Sequence, residues 1–260
     1  MKKYKDTDWR LLNLRQTARY LKKHDNYIIL THASPDGDTL GSAYALYYGL
    51  KEIGKLACVI CPDVVPKKYD YFVHATDHIS RENSTVIAVD VADTKLLGKD
   101  SEGKYQGKID LCIDHHGSNM LYADKVYLEP DSASTAEIMY LLLKMLNAKI
   151  TPVMASCLFT GASTDTGCFR FSNTTVRTFE IAAELAKLGA DTYNIIQIFF
   201  ETKTKTYAAL ERLALDSMRF YFSDKCAVIC VTQDMYKKSG SDESEVDRLS
   251  NLPRQVEGVL

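Results

Sequence analysis

Short apolar runs alternate along the chain with longer segments in which apolar residues recur every three or four positions. The short runs predict buried β-strands, and the longer segments predict amphipathic helices. Strands that are apolar throughout and alternate with helices are typical of an α/β fold whose mostly parallel sheet is covered by helices on both faces. The predicted strands lie at 27–30, 56–61, 86–89 and 109–113. The predicted helices lie at 8–23, 39–54, 134–146, from 151 into the segment GASTDTG, and from 174 or 175 to 189.

The pattern changes towards the end of the chain. A long helical stretch over 203–222 predicts a connector, and a second region comes after it with a strand-like run at 226–232 and a helix at 245–252. One strand, one helix and the apolar beginning of another strand cannot close a core. We therefore expect a first domain over 1–195, a helical connector over 196–222 and an incomplete second α/β domain over 223–260.

Composition and charge narrow the class of protein. With 260 residues, 46% of them hydrophobic, the chain is long enough to bury a substantial core. A formal charge of -2 argues against binding of a long nucleic acid duplex across a broadly basic surface, and favours short or small anionic substrates. Seven cysteines, mostly in apolar segments, indicate reduced thiols. Because no signal peptide and no membrane-spanning apolar stretch is evident, we expect a cytoplasmic protein.

Carboxylates and imidazoles follow the apolar runs at four places, and this is the strongest chemical signal in the sequence. The carboxyl ends of parallel strands meet at one edge of a sheet, where α/β enzymes bind their ligands, so we expect one shared site. The candidate residues lie in the segments THASPDGDTLGS, VDVAD, DHH and GASTDTG; they are His32, Asp36, Asp38, Asp90, Asp114, His115, His116 and Asp165.

Each of these residues taken alone has a structural alternative, such as a helix cap for an aspartate or a solvated turn for a histidine. Together they crowd acidic groups whose repulsion is costly unless cations neutralise it. The mixture of oxygen and nitrogen donors predicts a site for two divalent cations, with Mn²⁺ favoured over Mg²⁺ by the imidazoles and Co²⁺ as a further candidate. A calcium-binding EF-hand loop is excluded because Leu40 occupies a ligand position.

A second metal-binding pattern is present at Cys58-x2-Cys61-x12-His74-x3-His78. Its spacing matches that of a zinc finger. Its context argues against one, because the first cysteines lie in a predicted sheet strand, prolines interrupt the segment between the cysteines and the histidines, and no basic recognition helix is evident. A redox role for the cysteine pair is also disfavoured, since such a pair normally opens a helix.

The ordered motifs resemble those of the DHH phosphoesterases. THASPDGDTLGS, VDVAD, DHH and GASTDTGCFRFSNTT are similar to the first, second, third and fourth motifs of that family, and they cover about residues 27–173. The long fourth motif and the following LAKLGAD are most similar to the nanoRNases that also dephosphorylate 3'-phosphoadenosine 5'-phosphate. The resemblance implies a catalytic DHH domain over 1–195, followed after the connector by the N-terminal part of a DHH-associated substrate-binding domain.

The resemblance also implies roles for individual residues. One cation would be held by His32, Asp36 and Asp90, and the other by Asp38, Asp90, His115 and Asp165. Asp114 would hold His115 in place, and His116 would assist departure of the leaving group. For the substrate, Ser134 and Thr135 at a helix start and Arg170 are candidate phosphate contacts, with ordinary capping and solvation as the alternatives.

These expectations converge on a manganese-dependent phosphoric ester hydrolase. Its substrates would be short oligonucleotides, the 3'-phosphate of 3'-phosphoadenosine 5'-phosphate, or both, hydrolysed by in-line attack of water. Hydrolysis of pyrophosphate or polyphosphate by the same kind of site is one alternative. A non-catalytic module that binds nucleotide or metal is another. The sequence leaves open whether the chain forms a homodimer.

Overall fold

A parallel sheet of five strands organises the chain up to Phe200. The computed structural model describes residues 9–80 and 82–260, with the backbone alone at 244, 247 and 248. The strand order is β2-β1-β3-β4-β5, so the direction of winding reverses between β1 and β3. The strands are β1 (Tyr27–Leu30), β2 (Ala57–Ile60), β3 (Thr85–Val89), β4 (Leu111–Asp114) and β5 (Lys125–Leu128).

Helices cover both faces of this sheet. They are α1 (Leu14–Lys23), α2 (Gly37–Glu52), α3 (Gly98–Tyr105), α4 (Thr135–Leu146), α5 (Pro152–Asp165), α6 (Val176–Lys187) and α7 (Thr192–Ile196). Tyr27 and Ile29 of β1 belong to a core formed with α1, α2, α4 and α5. The alternate residues Ile28 and Leu30 belong to a second core that includes Tyr105 of α3. Because both faces are buried, β1 is apolar throughout and β3 is apolar after Thr85, and the predicted α/β fold is confirmed.

Two glycines allow α2, α4 and α5 to approach closely. A Cβ atom on Gly41 would lie 2.3 Å from the backbone oxygen of Cys157, where no side chain fits. A Cβ atom on Gly161 would lie 2.7 Å from both Asp38 Oδ1 and Ala136 Cβ. The absence of a side chain at both positions therefore lets the first turn of α2 reach the start of α4.

Several local boundaries differ from the predictions. The first residue of the helix predicted over 8–23 lies outside the described residues, and α1 begins only at Leu14, because Asn13 and Gln16 form a capping box. Helix α2 begins at Gly37, two residues before the predicted start, because Asp36 caps it, while the hydroxyl of Thr39 donates to the backbone oxygen of Val89 (3.1 Å). Strand β5 is not among the predicted strands.

The chain from Glu201 onward forms a second compact unit. It contains α8 (Lys205–Asp216), β6 (Arg219–Tyr221), β7 (Cys226–Val228) and α9 (Gln233–Ser239). The prediction of a helix over 203–222, and with it a wholly helical connector over 196–222, is wrong, because residues 219–221 pair with 226–228 as antiparallel strands. The helix predicted at 245–252 is also wrong, since that region folds into 3-10 turns. In the described parts of the chain, none of the helices has the length and hydropathy needed to cross a membrane.

Candidate metal centre

The candidate ligands meet at the carboxyl edge of the sheet, where the winding reverses. His32 lies two residues beyond β1, Asp90 directly follows β3, and Asp114 is the last residue of β4. Asp90 has a φ of 61°, a left-handed conformation that few residues other than glycine adopt. A crevice at the switch point of an open parallel sheet is the expected place for a ligand.

Helix termini supply the remaining aspartates. Asp36 caps α2, accepting the backbone N–H groups of Asp38 and Thr39 at 3.0 Å each. Asp38 faces the start of α4, where the backbone N–H groups of Thr135 (2.6 Å) and Ala136 (2.8 Å) donate to its carboxylate. A helix N-terminus stabilises a carboxylate in this way, through unpaired N–H groups and the helix dipole. Asp165 is the final residue of α5.

His115 directs one ring nitrogen at the carboxylates. Its Nδ1 lies 3.1 Å from the backbone oxygen of Ser132, which can only accept a hydrogen bond, so Nδ1 carries the proton. Its Nε2 lies 3.2 Å from Asp165 Oδ2, 3.8 Å from Asp90 Oδ1 and 3.9 Å from Asp38 Oδ2. This Nε2 is buried and has no hydrogen-bond partner within the described residues. The nitrogen is therefore oriented as a metal ligand would be.

His32 is oriented in the same way. Its Nδ1 donates to the backbone oxygen of Ala33 (2.8 Å), and its Nε2 lies 3.6 Å from Asp36 Oδ1 and 3.9 Å from Asp90 Oδ2. Asp90 is thus the carboxylate that both His32 and His115 approach. The two imidazoles reach its two different oxygens.

The raised pKa values of the buried aspartates indicate that positive charge would stabilise the cluster. Burial, together with the charges of Asp36 and Asp165, raises the pKa of Asp90 to about 7. Burial and the charges of Asp90 and Asp165 hold the pKa of Asp38 well above its usual range. Divalent cations would satisfy these buried acids more fully than protons do.

The raised pKa values of the two histidines also indicate that the cluster favours positive charge. Burial alone would lower the pKa of His32, but the hydrogen bond and the charge of Asp36 raise it to about 9. Burial likewise opposes protonation of His115, and the carboxylates of Asp165 and Asp90 nevertheless raise its pKa to about 9. The imidazoles thus take up protons where a metal ion would bind their neutral form.

The donor set fits metal ions. Within the described residues, three groups of possible ligands have their donor atoms within 4.8 Å of one another. They are His32 with Asp36 and Asp90, Asp38 with His115 and Asp165, and Asp90 with His115 and His116. None of the groups in the described part of the chain includes Cys58, Cys61, His74 or His78, so the structure gives no support to the zinc-finger alternative.

Asp114 orients His116 and not the ring of His115, which corrects the role implied by the family resemblance. Its Oδ1 accepts the ring Nδ1–H of His116 (2.8 Å) and only the backbone N–H of His115 (2.8 Å). Asn119, which the sequence did not indicate, donates to the other oxygen of Asp114 (2.6 Å).

The three residues predicted as phosphate contacts have different surroundings in the structure. Ser134 caps α4 by accepting the backbone N–H of Glu137 (3.3 Å), as its structural alternative proposed. Thr135 donates its hydroxyl to Asp90 Oδ1 (2.8 Å), so this donor supports the centre instead of facing a substrate. Arg170 is exposed, and its Nε donates to the backbone oxygen of Gly167 (2.7 Å).

Comparison with known proteins agrees with this geometry. The family model described as "DHH family, N-terminal domain" matches residues 26–162, which is more than half of the chain. The chain belongs to the DHH family of phosphoesterases. This DHH chain is 31% identical to the bifunctional oligoribonuclease and PAP phosphatase NrnA of Thermus thermophilus, over 95% of the chain and 74% of the relative. It is 24% identical to the Bacillus subtilis protein of the same name, over 94% of the chain and 78% of the relative.

The fold of the DHH chain also matches that of a solved structure. An exopolyphosphatase-related protein from Bacteroides fragilis superimposes with a TM-score of 0.84, covering 95% of this chain and 77% of the other. The two sequences are 23% identical, so this likeness concerns the fold.

Proposed function

We propose that this DHH phosphoesterase hydrolyses short oligoribonucleotides and removes the 3'-phosphate of 3'-phosphoadenosine 5'-phosphate, in a reaction that depends on two divalent cations. The observation that carries the proposal is the buried cluster in which both histidine Nε2 atoms approach Asp90. The names of the relatives from Thermus thermophilus and Bacillus subtilis support this choice of substrates.

The ligands divide into two sets that share Asp90. His32 and Asp36 would complete one set, with donor atoms that lie within 4.8 Å of one another and of Asp90. Asp38, His115 and Asp165 would complete the other, which His115 Nε2 brings to 3.8 Å from Asp90 Oδ1. Carboxylate oxygens combined with imidazole nitrogens suit Mn²⁺ best among the common candidates. When bound, such cations supply Lewis-acid activation of water and offset the charge that develops on the phosphoryl oxygens.

His116 is the residue that we assign to the leaving group. Its Nδ1–H is engaged by Asp114, so Nε2 is the ring nitrogen left for a substrate oxygen, and its side chain is 44% exposed. The hydrogen bond and charge of Asp114 raise the pKa of His116, which keeps the ring protonated at higher pH. A positioned imidazolium can donate its proton to the departing oxygen.

The test is an assay of the purified chain on an RNA dinucleotide and on 3'-phosphoadenosine 5'-phosphate, with Mn²⁺ and with a chelator. We expect release of mononucleotide and phosphate with Mn²⁺ alone, and a loss of more than about 100-fold in Asp90→Asn. Asp93→Asn is the matched control, because Asp93 lies in the same VDVAD segment, accepts the backbone N–H of Lys95 (3.1 Å) and, within the described residues, belongs to none of the candidate ligand groups. Absence of metal-dependent product from the unmodified chain would refute the proposal.

The same assay separates the alternatives. Faster release of phosphate from pyrophosphate than from 3'-phosphoadenosine 5'-phosphate would favour a pyrophosphatase. Binding of Mn²⁺ and nucleotide without turnover of any of these substrates would favour a non-catalytic module.

A further inference from the structure

Residues 129–137, which we call the β5–α4 segment, orient three of the proposed ligands. The backbone oxygen of Ser132 accepts the Nδ1–H of His115 (3.1 Å) and so fixes which ring nitrogen faces the carboxylates. The backbone N–H groups of Thr135 and Ala136 hold Asp38, and the hydroxyl of Thr135 holds Asp90. Any displacement of this segment would therefore move donors on both sides of the centre.

One arginine fastens the two ends of this segment. Arg177 Nη1 lies 2.6 Å from Glu129 Oε1, just after β5, and its Nε lies 3.2 Å from Glu137 Oε2, in the first turn of α4. The planar guanidinium presents several N–H groups in a fixed fork, so a single side chain can hold two carboxylates at once. Arg177 itself belongs to α6.

The carboxylate of Glu137 links the arginine to the middle of the segment. Its Oε2 also accepts the hydroxyl of Ser132 (3.1 Å) and the backbone N–H of Ala133 (3.3 Å). The side chain of Glu137 is 0% exposed. A buried carboxylate that loses its cationic partner is strongly destabilised, so the segment would have to rearrange if the arginine were removed.

We infer that Arg177 is a positioning residue for the metal centre, acting through Glu129, Glu137 and the β5–α4 segment on His115 and Asp38. The inference rests on the proposed function, because it assigns Arg177 a role in metal binding. Groups one contact beyond metal ligands typically contribute about 10–100-fold in affinity. Since Arg177 acts through a further contact, we expect its effect to lie at the lower end of that range.

The test compares Arg177→Met, which removes the charge, and Arg177→Lys, which keeps the charge but loses the fork. Lys187→Met is the matched control, because Lys187 lies at the other end of α6, where its exposed ammonium group lies 3.9 Å from Glu184. Mn²⁺ affinity is measured by titration calorimetry, and Tm is measured with chelator and with saturating Mn²⁺. We expect about tenfold weaker Mn²⁺ binding in Arg177→Met, a smaller loss in Arg177→Lys and no change in the control.

The outcomes separate this inference from the proposed function. If the wild-type chain binds no Mn²⁺, both are refuted. If wild type binds Mn²⁺ and turns over substrate while both Arg177 variants bind Mn²⁺ as tightly, only the inference is overturned. A purely structural role would lower Tm equally with chelator and with Mn²⁺ and leave the affinity unchanged. If Arg177→Met fails to fold, Arg177→Lys decides: at least twofold weaker binding supports the inference, and wild-type affinity overturns it.

Discussion

Replacing Asp90 by asparagine is expected to stabilise the metal-free protein and to remove its stabilisation by Mn²⁺. Asp90 is 2% exposed and lies among other carboxylates. Asparagine preserves its shape, can still accept the hydroxyl of Thr135 through its amide oxygen, and tolerates the left-handed backbone at this position. The substitution therefore changes the charge while disturbing the local structure little.

The size of the expected stabilisation of metal-free Asp90→Asn follows from the raised pKa of Asp90. The folded protein binds a proton here up to about pH 7, whereas the unfolded chain releases it near the ordinary pKa of 3.8. The wild-type protein therefore loses stability as the pH rises from about 4 to 7. Above pH 7 its free energy of unfolding is lower by about 4 kcal/mol than it would be if the pKa of Asp90 were unshifted.

Asp90→Asn removes this penalty, but the variant also loses stability because its two neighbouring histidines lose a favourable charge. His32 and His115 have pKa values raised to about 9, a contribution to stability that is complete below their ordinary 6.5 and is lost as the pH rises through 9. Because Asp90 helps to raise both values, we expect a net gain in the free energy of unfolding of about 2 kcal/mol at pH 8 without metal. For a chain of this length that raises Tm by about 4–8 °C.

The assay is thermal unfolding at pH 8 with chelator and again with saturating Mn²⁺. We expect Asp90→Asn to unfold at a higher temperature than wild type with chelator, and the order to reverse with Mn²⁺, because a ligand that binds only the folded state stabilises it. Asp93→Asn should behave like wild type in both buffers. A lower Tm for Asp90→Asn with chelator, or an equal gain from Mn²⁺, would refute the reasoning.

Three further predictions concern the support of the site, the helix packing and the chemical step. Thr135→Val, which removes the hydroxyl donor to the shared carboxylate, is expected to weaken Mn²⁺ binding about tenfold by titration calorimetry, whereas Thr135→Ser should not. Gly41→Ala, whose Cβ would meet the backbone oxygen of Cys157, is expected to lower the free energy of unfolding in urea by about 1–3 kcal/mol or more. Gly103→Ala, which meets nothing within 4 Å, serves as its control. His116→Asn is expected to lower kcat by about 10²–10⁴-fold while leaving Mn²⁺ affinity unchanged; a parallel loss of affinity would instead make His116 a ligand.

The fold was predictable where a strand is buried along its whole length. Strand β1 is apolar throughout and β3 is apolar from Val86 to Val89, and these apolar runs identified both strands in the sequence. Strand β5 is different, because only its central residues, Val126 and Tyr127, are buried while its two ends are half-exposed. Strand β7 lies within the strand-like run predicted at 226–232, but β6 was missed for the related reason that residues 219–221 are exposed and carry no burial pattern.

The positions of the candidate ligands were predictable because each follows a strand or lies at the beginning or end of a helix, places that the sequence pattern marks. The contacts that support these residues were not predictable from the sequence. The partners of Asp114 and Asp38 come from Asn119 and from the start of α4, whose positions depend on loop geometry. Arg177 is separated from Glu137 by 40 residues, and nothing in the spacing of these two residues indicates that they pair.

The strand order explains why Asp90 is the residue that both proposed ligand sets share. Strand β3 lies between β1 and β4 in the sheet, so a side chain at its carboxyl end has neighbours on both sides. His32 follows β1 and reaches one oxygen of Asp90, while His115 follows β4 and reaches the other. Strands β1 and β4 are not neighbours in the sheet, so a side chain directly at the end of either would start two strand spacings, about 10 Å, from the other. The topology of the sheet thus places Asp90 between the two proposed ligand sets. Its carboxylate has two oxygens, so it can serve one cation with each.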